Sequence, residues 1–326
     1  MTEDITGIHH IGLVVRDMEA ALETFRHLGF HVGAPAYPAL PPRPGAAPEP
    51  VGAGNTHADF PRSFIELLAF APKDPARLPA SAKLIPLQVP DDRLAATRAV
   101  VKQTLGGLAR RLREGEGAHI LVFGTRDAAE TAERLAAAGV RTSGALGAQR
   151  PVATAEGTRL ADVRFLEIHD AASASFGMVG EGRVGAAEDA PADLLDAQLG
   201  TEHPNGAVGV VEALICVGND RRRSTIERYG RYLGRDPVSE GSASVFAAGS
   251  GRLVLTTPRD LAERLPGAVP RQIPGVAAYT VAVGDLDDTV AYLRSRGVTV
   301  RRAADGRPFL PATAAHGAAV VFQQAA

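Results

Sequence analysis

Apolar and polar positions repeat one arrangement four times along the chain. A strand-like apolar run leads to an aspartate, then to apolar residues three and four apart, then to a glycine and another apolar residue. The segments run from HIGLVVRD to LGFHV, from HILVFGTRD to AGVRT, from ALICVGND to LGRDP and from YTVAVGD to RGVTV. Their aspartates are Asp17, Asp127, Asp220 and Asp285 and their glycines Gly29, Gly139, Gly234 and Gly297, separated by 12, 12, 14 and 12 residues. Both ends have a physical reason. A carboxylate accepts from the free amides that start a helix and complements its dipole, and glycine supplies the left-handed conformation that ends it. Between them, Met18, Leu22 and Phe25 in the first segment, and Leu286, Val290 and Leu293 in the last, give each helix one face to bury.

After each helix come β-like stretches. NTHADF and SFIELLAF flank Pro61 and Arg62, and SVFAAGSGRLVLTT turns at Gly249 to Gly251. Each unit therefore reads as a strand and a helix followed by two or three strands. A unit of this size is too small to hold a comfortable core alone, so units must bury their faces on one another. Pairing them predicts an α+β protein with an amino-terminal domain over 1–200 and a carboxyl-terminal domain over 201–326. Residues 35–50, PAYPALPPRPGAAPEP, are too rich in proline for a helix or a central strand and read as a surface loop or cavity lid. Residues 91–114 carry Leu94, Val101, Leu105, Leu108 and Leu112 at helical spacing and read as a helix joining the first two units. Residues 180–204, rich in Ala, Gly and acid, read as the tether between the paired halves.

Composition excludes more than it identifies. The 326 residues suffice for two domains. With 35 Lys and Arg against 37 Asp and Glu the net charge is −2, and no basic cluster extends beyond Arg221, Arg222 and Arg223, so no nucleic-acid face is expected. The one cysteine, Cys216, cannot form an internal disulfide, and no apolar leader precedes the first strand. Both features point to a reducing cytoplasm. No apolar run is long enough to span a membrane. The expected partner is a small molecule, with a homodimer also compatible with the repeats.

The candidate chemistry sits in IHHIGLVVRD. Side chains alternate across a strand, so one histidine should share a face with Gly12 and Val14 and the other should oppose it. If that face is concave, His10 looks in and His9 looks out. If Pro61 and Arg62 form a two-residue hairpin loop, Phe60 pairs with Ser63 and His57 lies opposite Glu66 on the same face. His57 would then support that carboxylate or act as a general base. Small glycine clusters in GAGNTH and AAGSGRL lack the spacing of a phosphate loop, and Ser224, Ser242 and Cys216 lack a base to activate them.

The stretches IHHIGLVVRDMEAALETFRHLGF, FIELLAF and YTVAVGDLDDTVAYLRSRGV resemble the vicinal oxygen chelate superfamily, which includes glyoxalases, bleomycin resistance proteins, extradiol dioxygenases and epimerases. EHPNGA resembles a glyoxalase-like subgroup with four tandem βαβββ modules. The resemblance implies modules paired into two curled, half-open β-barrel domains, with a divalent ion held by the first and last strands of each module. Carried onto this chain, it makes His10 and Glu66 metal ligands. In the second module it offers His119, unless a bulge near Gly124 is absent and Ile120 holds the inward position. Glu167 or Met178 stands as the last-strand residue there. His10, Glu66 and His119 would make a face suited to iron, manganese, zinc or nickel.

The carboxyl-terminal pair offers Ala213, or Glu212 in a shifted register, and Ala278, so that half reads as structural. The resemblance implies a metal-dependent lyase or isomerase acting on a small oxygen-rich metabolite, with Glu66, His57 or Glu167 moving the proton. A metal-free ligand-binding protein and a non-haem iron dioxygenase are the alternatives.

Overall fold

A computed structural model of the chain describes residues 4–170 and 177–326. The amino-terminal elements are β1 (Ile5–Val15), α1 (Met18–His27), β2 (Ala36–Leu40), β3 (Glu49–Pro50), β4 (Ala53–Asp59), β5 (Phe64–Phe70) and β6 (Lys83–Pro86). They are followed by α2 (Leu94–Glu114), β7 (Gly117–Thr125), α3 (Ala128–Ala137), β8 (Arg141–Thr142), β9 (Leu146–Thr154), β10 (Gly157–His169), β11 (Arg183–Glu188) and α4 (Ala192–Asp196). The carboxyl-terminal elements begin with β12 (Ala207–Cys216), α5 (Asn219–Leu233), β13 (Val238–Glu240), β14 (Ala243–Ala248), β15 (Gly251–Thr256) and α6 (Pro258–Arg264). The chain ends in β16 (Gly275–Val283), α7 (Leu286–Ser295), β17 (Arg301–Arg302), β18 (Pro308–Leu310) and β19 (Ala319–Gln324). The fold is α+β, and no helix among the described residues is long and apolar enough to cross a membrane.

The repeated arrangement forms its elements for the reasons its spacing gives. Asp17, Asp127 and Asp285 each cap a helix and accept from its first amides. Asp220 differs: Gly218 is the cap of α5, and the aspartate lies within the first turn, where it still complements the dipole. All four terminal glycines have the left-handed backbone, with φ between 65° at Gly234 and 85° at Gly29.

Hydrogen bonding runs β2–β4–β5–β1–β7–β11–β10–β9 in the first half and β13–β14–β15–β12–β16–β19–β18–β17 in the second. Among the described residues a single strand pair, Val276 with Ala118, joins the two runs. The central antiparallel pairs repeat each other in their irregularities. Register shifts fall at Ile5/Gly7, Ile8/His10 and Gly12/Leu13 between β1 and β7, and at Ala207/Gly209, Val210/Glu212 and Leu214/Ile215 between β12 and β16. The correspondence sets Glu212 where His10 stands and Ala278 where Ile120 stands. The shifted register is therefore the right one for the third unit.

Two segments depart from the sequence reading. Within 35–50, residues 36–40 pair with both β4 and β6, and Tyr37 and Leu40 are buried, so the proline-rich stretch supplies strand β2. Pro38 is tolerated because a strand position can spare its N–H where no ladder bond needs it. Within 180–204, residues 183–188 form β11, bonded on one side to β7 and on the other to β10. Small residues in RVGAAE read as a tether, yet Gly185 is required there: a Cβ would sit 2.3 Å from the Leu166 carbonyl oxygen. In the SFGMV stretch, Ser175 and Phe176 lie outside the described residues, and β11 supplies the strand beside β7.

A candidate pocket built on the first strand

Two bulges decide which side chains reach the pocket. On β1, Ile8 pairs with Phe123 and His10 with Val122, so His9 is an extra residue with no opposite number. Ile8 and Ile11, three apart, consequently pack into the same hydrophobic core, and His9 and His10 both fall on the other side. On β7, Gly12 pairs with Ile120 and Leu13 with Ala118, so His119 is the extra residue. Ile120 thereby takes the inward position.

The resulting cavity, about 390 Å³, has His9, His10, His57, Phe64 and Glu66 on one wall. Ile120, Arg150, Glu167, Arg183, Gly185 and Asp189 line the remainder. The hairpin register is the one the sequence indicated: Phe60 N–H donates to Ser63 O at 2.8 Å, and His57 stands opposite Glu66. The rings of His10 and His57 stack on Phe64 with centroids 4.4 and 4.3 Å away. Asn55 Nδ2 donates to Glu66 Oε1 at 2.7 Å, which leaves Oε2 facing His10 Nε2 at 4.0 Å. Gly12 lies beneath this pair. A Cβ there would come within 2.7 Å of both Glu66 Oε2 and Ile120 Cβ, so only glycine lets the three approach.

Behind His10 the groups are wired to charge. His9 Nδ1 lies 2.8 Å from His10 Nδ1, and His9 Nε2 lies 3.1 Å from Asp189 Oδ2. Arg150 Nη1 donates to both oxygens of Asp189, at 2.9 and 3.0 Å, and Nη2 reaches Asp59 at 3.4 Å. Burial pushes the Asp189 carboxyl up, but the close approach of His9 Nε2 and the charge of Arg150 outweigh it and hold the group well below the usual carboxylate range. Burial, with the neighbouring histidines, drives His10 well below its ordinary value, so its ring is neutral near pH 7. Burial lowers His57 as well.

The sequence-derived residues separate here. His10, Glu66, His57 and Glu167 surround one cavity. Glu167 is engaged by Arg183 at 3.2 Å on the facing wall. Met178 is buried against α2, where a Cβ on Gly107 would touch it, and is no part of the lining. His119 does not join the pocket residues. As a bulge residue it turns toward α2, accepting from Arg111 Nε at 3.3 Å and hydrogen-bonding the Gly115 carbonyl through Nε2 at 2.9 Å. Burial brings its pKa down to about 4. His9, read as the outward histidine, is 9% exposed and borders the cavity. Asp189 was hidden in the supposed tether, and no spacing signal could have revealed it before β11 was placed.

A divalent ion needs more than this pocket offers. His10 and Glu66 are the two ligand-type residues at the first- and last-strand positions of the first unit. Their counterparts in the second unit are Ile120 and Gly185, by the paired registers Gly12–Glu66 and Val122–Gly185. Among the described residues no group of three His, Cys, Asp or Glu could hold a metal ion. The set does not fit a resident divalent ion, which takes at least three protein ligands in catalytic zinc sites and a facial triad in non-haem iron sites.

The second half is closed by its own chemistry. Glu212, 3% exposed, receives Arg252 Nε at 2.5 Å and Thr280 Oγ1 at 2.7 Å, with Arg307 at 3.5 Å. Leu214, Cys216, Val254, Phe309 and Val321 are buried together on the same side.

Residues 8–233 match the model of a family described as glyoxalase-like domain. No curated protein matches the sequence. Among solved structures, a hypothetical protein from Staphylococcus aureus aligns with a TM-score of 0.61 at 9% identity, over 98% of this chain and 99% of its own. A xylose isomerase-like TIM barrel/4-hydroxyphenylpyruvate dioxygenase fusion protein aligns with a TM-score of 0.52 at 12% identity, over 99% of this chain and 50% of its own. A triple mutant of 4-hydroxymandelate synthase from Streptomyces coelicolor gives 0.49 at 18% identity, over 92% and 77% of the two chains. The first two likenesses are of fold.

Proposed function

The chain belongs to the glyoxalase-like domain family, within the vicinal oxygen chelate superfamily, and from that premise we propose that its amino-terminal pocket binds a small oxygen-bearing metabolite and moves a proton on it with His10 and Glu66, without a resident divalent ion. The carrying observation is the 4.0 Å approach of His10 Nε2 and Glu66 Oε2, set against Ile120 and Gly185 at the counterpart positions. A neutral imidazole and a carboxylate facing one small space can take a proton from one side of a substrate carbon and return it at another. This is isomerase or lyase chemistry. Asn55 keeps one Glu66 oxygen occupied and so aims the other. His57 offers a neutral ring edge to bound oxygen atoms, and Arg183 pairs with Glu167 on the far wall, which removes Glu167 from the proton-moving role. The domain boundary in this reading falls near residue 200, and the second domain supports the first.

Two measurements test the proposal. Elemental analysis of protein prepared without chelators and offered iron, manganese, zinc and nickel should find well under one ion per chain, unchanged in His10→Ala. One ion per chain, lost in His10→Ala and Glu66→Ala, overturns the metal-free reading. Deuterium exchange into a panel of 2-oxo acids, 2-hydroxy acids and acyl thioesters should occur with the wild type and disappear with His10→Ala. Exchange that survives in the variant refutes the assignment, and tight binding without exchange leaves a ligand-binding protein instead.

A further inference from the structure

The bulge that brings His9 beside His10 connects His10 to a buried anion. His9 is held between Asp189 Oδ2 at 3.1 Å and His10 Nδ1 at 2.8 Å. Buried His9 Nε2 makes no aligned hydrogen bond among the described residues, and with Asp189 Oδ2 3.1 Å away a lone pair there would face a carboxylate. The proton of a neutral His9 ring therefore belongs on Nε2, which makes His9 Nδ1 an acceptor. The short contact then requires the hydrogen of His10 on Nδ1, because two lone pairs cannot meet at that distance. Arg150 pairs with the same carboxylate through two hydrogen bonds.

We infer that Asp189 and His9 are positioning residues that fix His10 as its Nδ1–H tautomer, so that the lone pair of His10 Nε2 faces the pocket. Free neutral histidine favours the opposite tautomer, with Nε2 protonated, and a ring of that kind would meet a substrate proton as a donor rather than as a base. The arrangement narrows the ligand class. A group presented to His10 Nε2 must bring a hydrogen, either a hydroxyl or an acidified C–H beside a carbonyl, and its oxygen must lie away from Glu66. The inference rests on reading His10 as the base of the pocket, but it concerns where the imidazole hydrogen resides and can be measured without turnover.

Nitrogen-15 NMR of histidine-labelled protein at neutral pH reads the tautomer directly. His10, assigned by its absence in His10→Gln, should show a pyridine-like Nε2 and a pyrrole-like Nδ1. In His9→Phe the acceptor is lost, and Nε2 should shift to the pyrrole-like range. In His9→Asn, whose side-chain oxygen can stand near the former Nδ1, the wild-type pattern should persist. A wild-type His10 protonated on Nε2, or on both nitrogens, overturns the inference, as does a His9→Phe spectrum with Nδ1–H retained. The wild-type spectrum decides the tautomer even if a variant fails to fold. The expected tautomer together with no exchange activity refutes the proposed function while leaving this inference standing.

Discussion

Replacing His119 with leucine separates a structural histidine from a ligand histidine. In the wild type the ring accepts from buried Arg111 and bonds the Gly115 carbonyl. Leucine fills the space but answers neither group, and each buried partner left unpaired costs about 1–3 kcal/mol. Better burial of an apolar side chain returns about 1 kcal/mol. The net expectation at pH 7 is a loss of about 1–5 kcal/mol in unfolding free energy. The pH dependence carries a second signature. Burial holds the folded pKa of His119 at about 4, below an ordinary value near 6.5. As pH falls through that window the unfolded chain takes up the proton first, so wild-type stability drops by up to about 3 kcal/mol. The leucine variant has nothing to titrate there, and the gap between the two proteins should narrow toward pH 4. Urea denaturation followed by circular dichroism at several pH values measures both effects. A loss under about 1 kcal/mol at pH 7, or a gap that stays constant with pH, refutes the structural assignment. Loss of a bound ion in His119→Leu would restore it as a ligand.

The other predictions concern the pocket and its filled counterpart. Gly12→Ala should destabilise by about 1–3 kcal/mol in urea melts and abolish proton exchange, because the new methyl would displace Glu66 or Ile120; unchanged stability and exchange would contradict the crowding beneath the His10–Glu66 pair. Ile120→His should add an imidazole at the counterpart of His10, giving the His10–Glu66 pair a third ligand and with it zinc binding detectable by calorimetry, which the wild type should lack; a folded variant without uptake would mean that the missing third ligand is not what keeps an ion out. Glu212→Gln should cost about 1–3 kcal/mol, toward the lower end because partly exposed Arg252 is screened by solvent, and should leave pocket chemistry unchanged. Lost exchange in that variant would show that the second half takes part in the site.

Local order determined a good deal about this protein. The aspartate-to-glycine spacing specified the helices, since caps act on the residues next to them. Helix α2 and the β4–β5 hairpin were legible too, and the hairpin alone set His57 opposite Glu66. The vicinal oxygen chelate resemblance followed from the same short stretches. Tertiary structure decided which side chains meet. Strand alternation sent His9 outward and left His119 or Ile120 to face in, and one extra residue on β1 and another on β7 reversed the first expectation and settled the second. Such a bulge depends on what the partner strand offers, which no window of one strand contains. Asp189 became part of the site only when RVGAAE, too small and too polar to read as a strand, inserted between β7 and β10. Pairing partners across the sheet, rather than the propensity of either segment, set the chemistry of the pocket, because register converts a shift of one residue into a change of face.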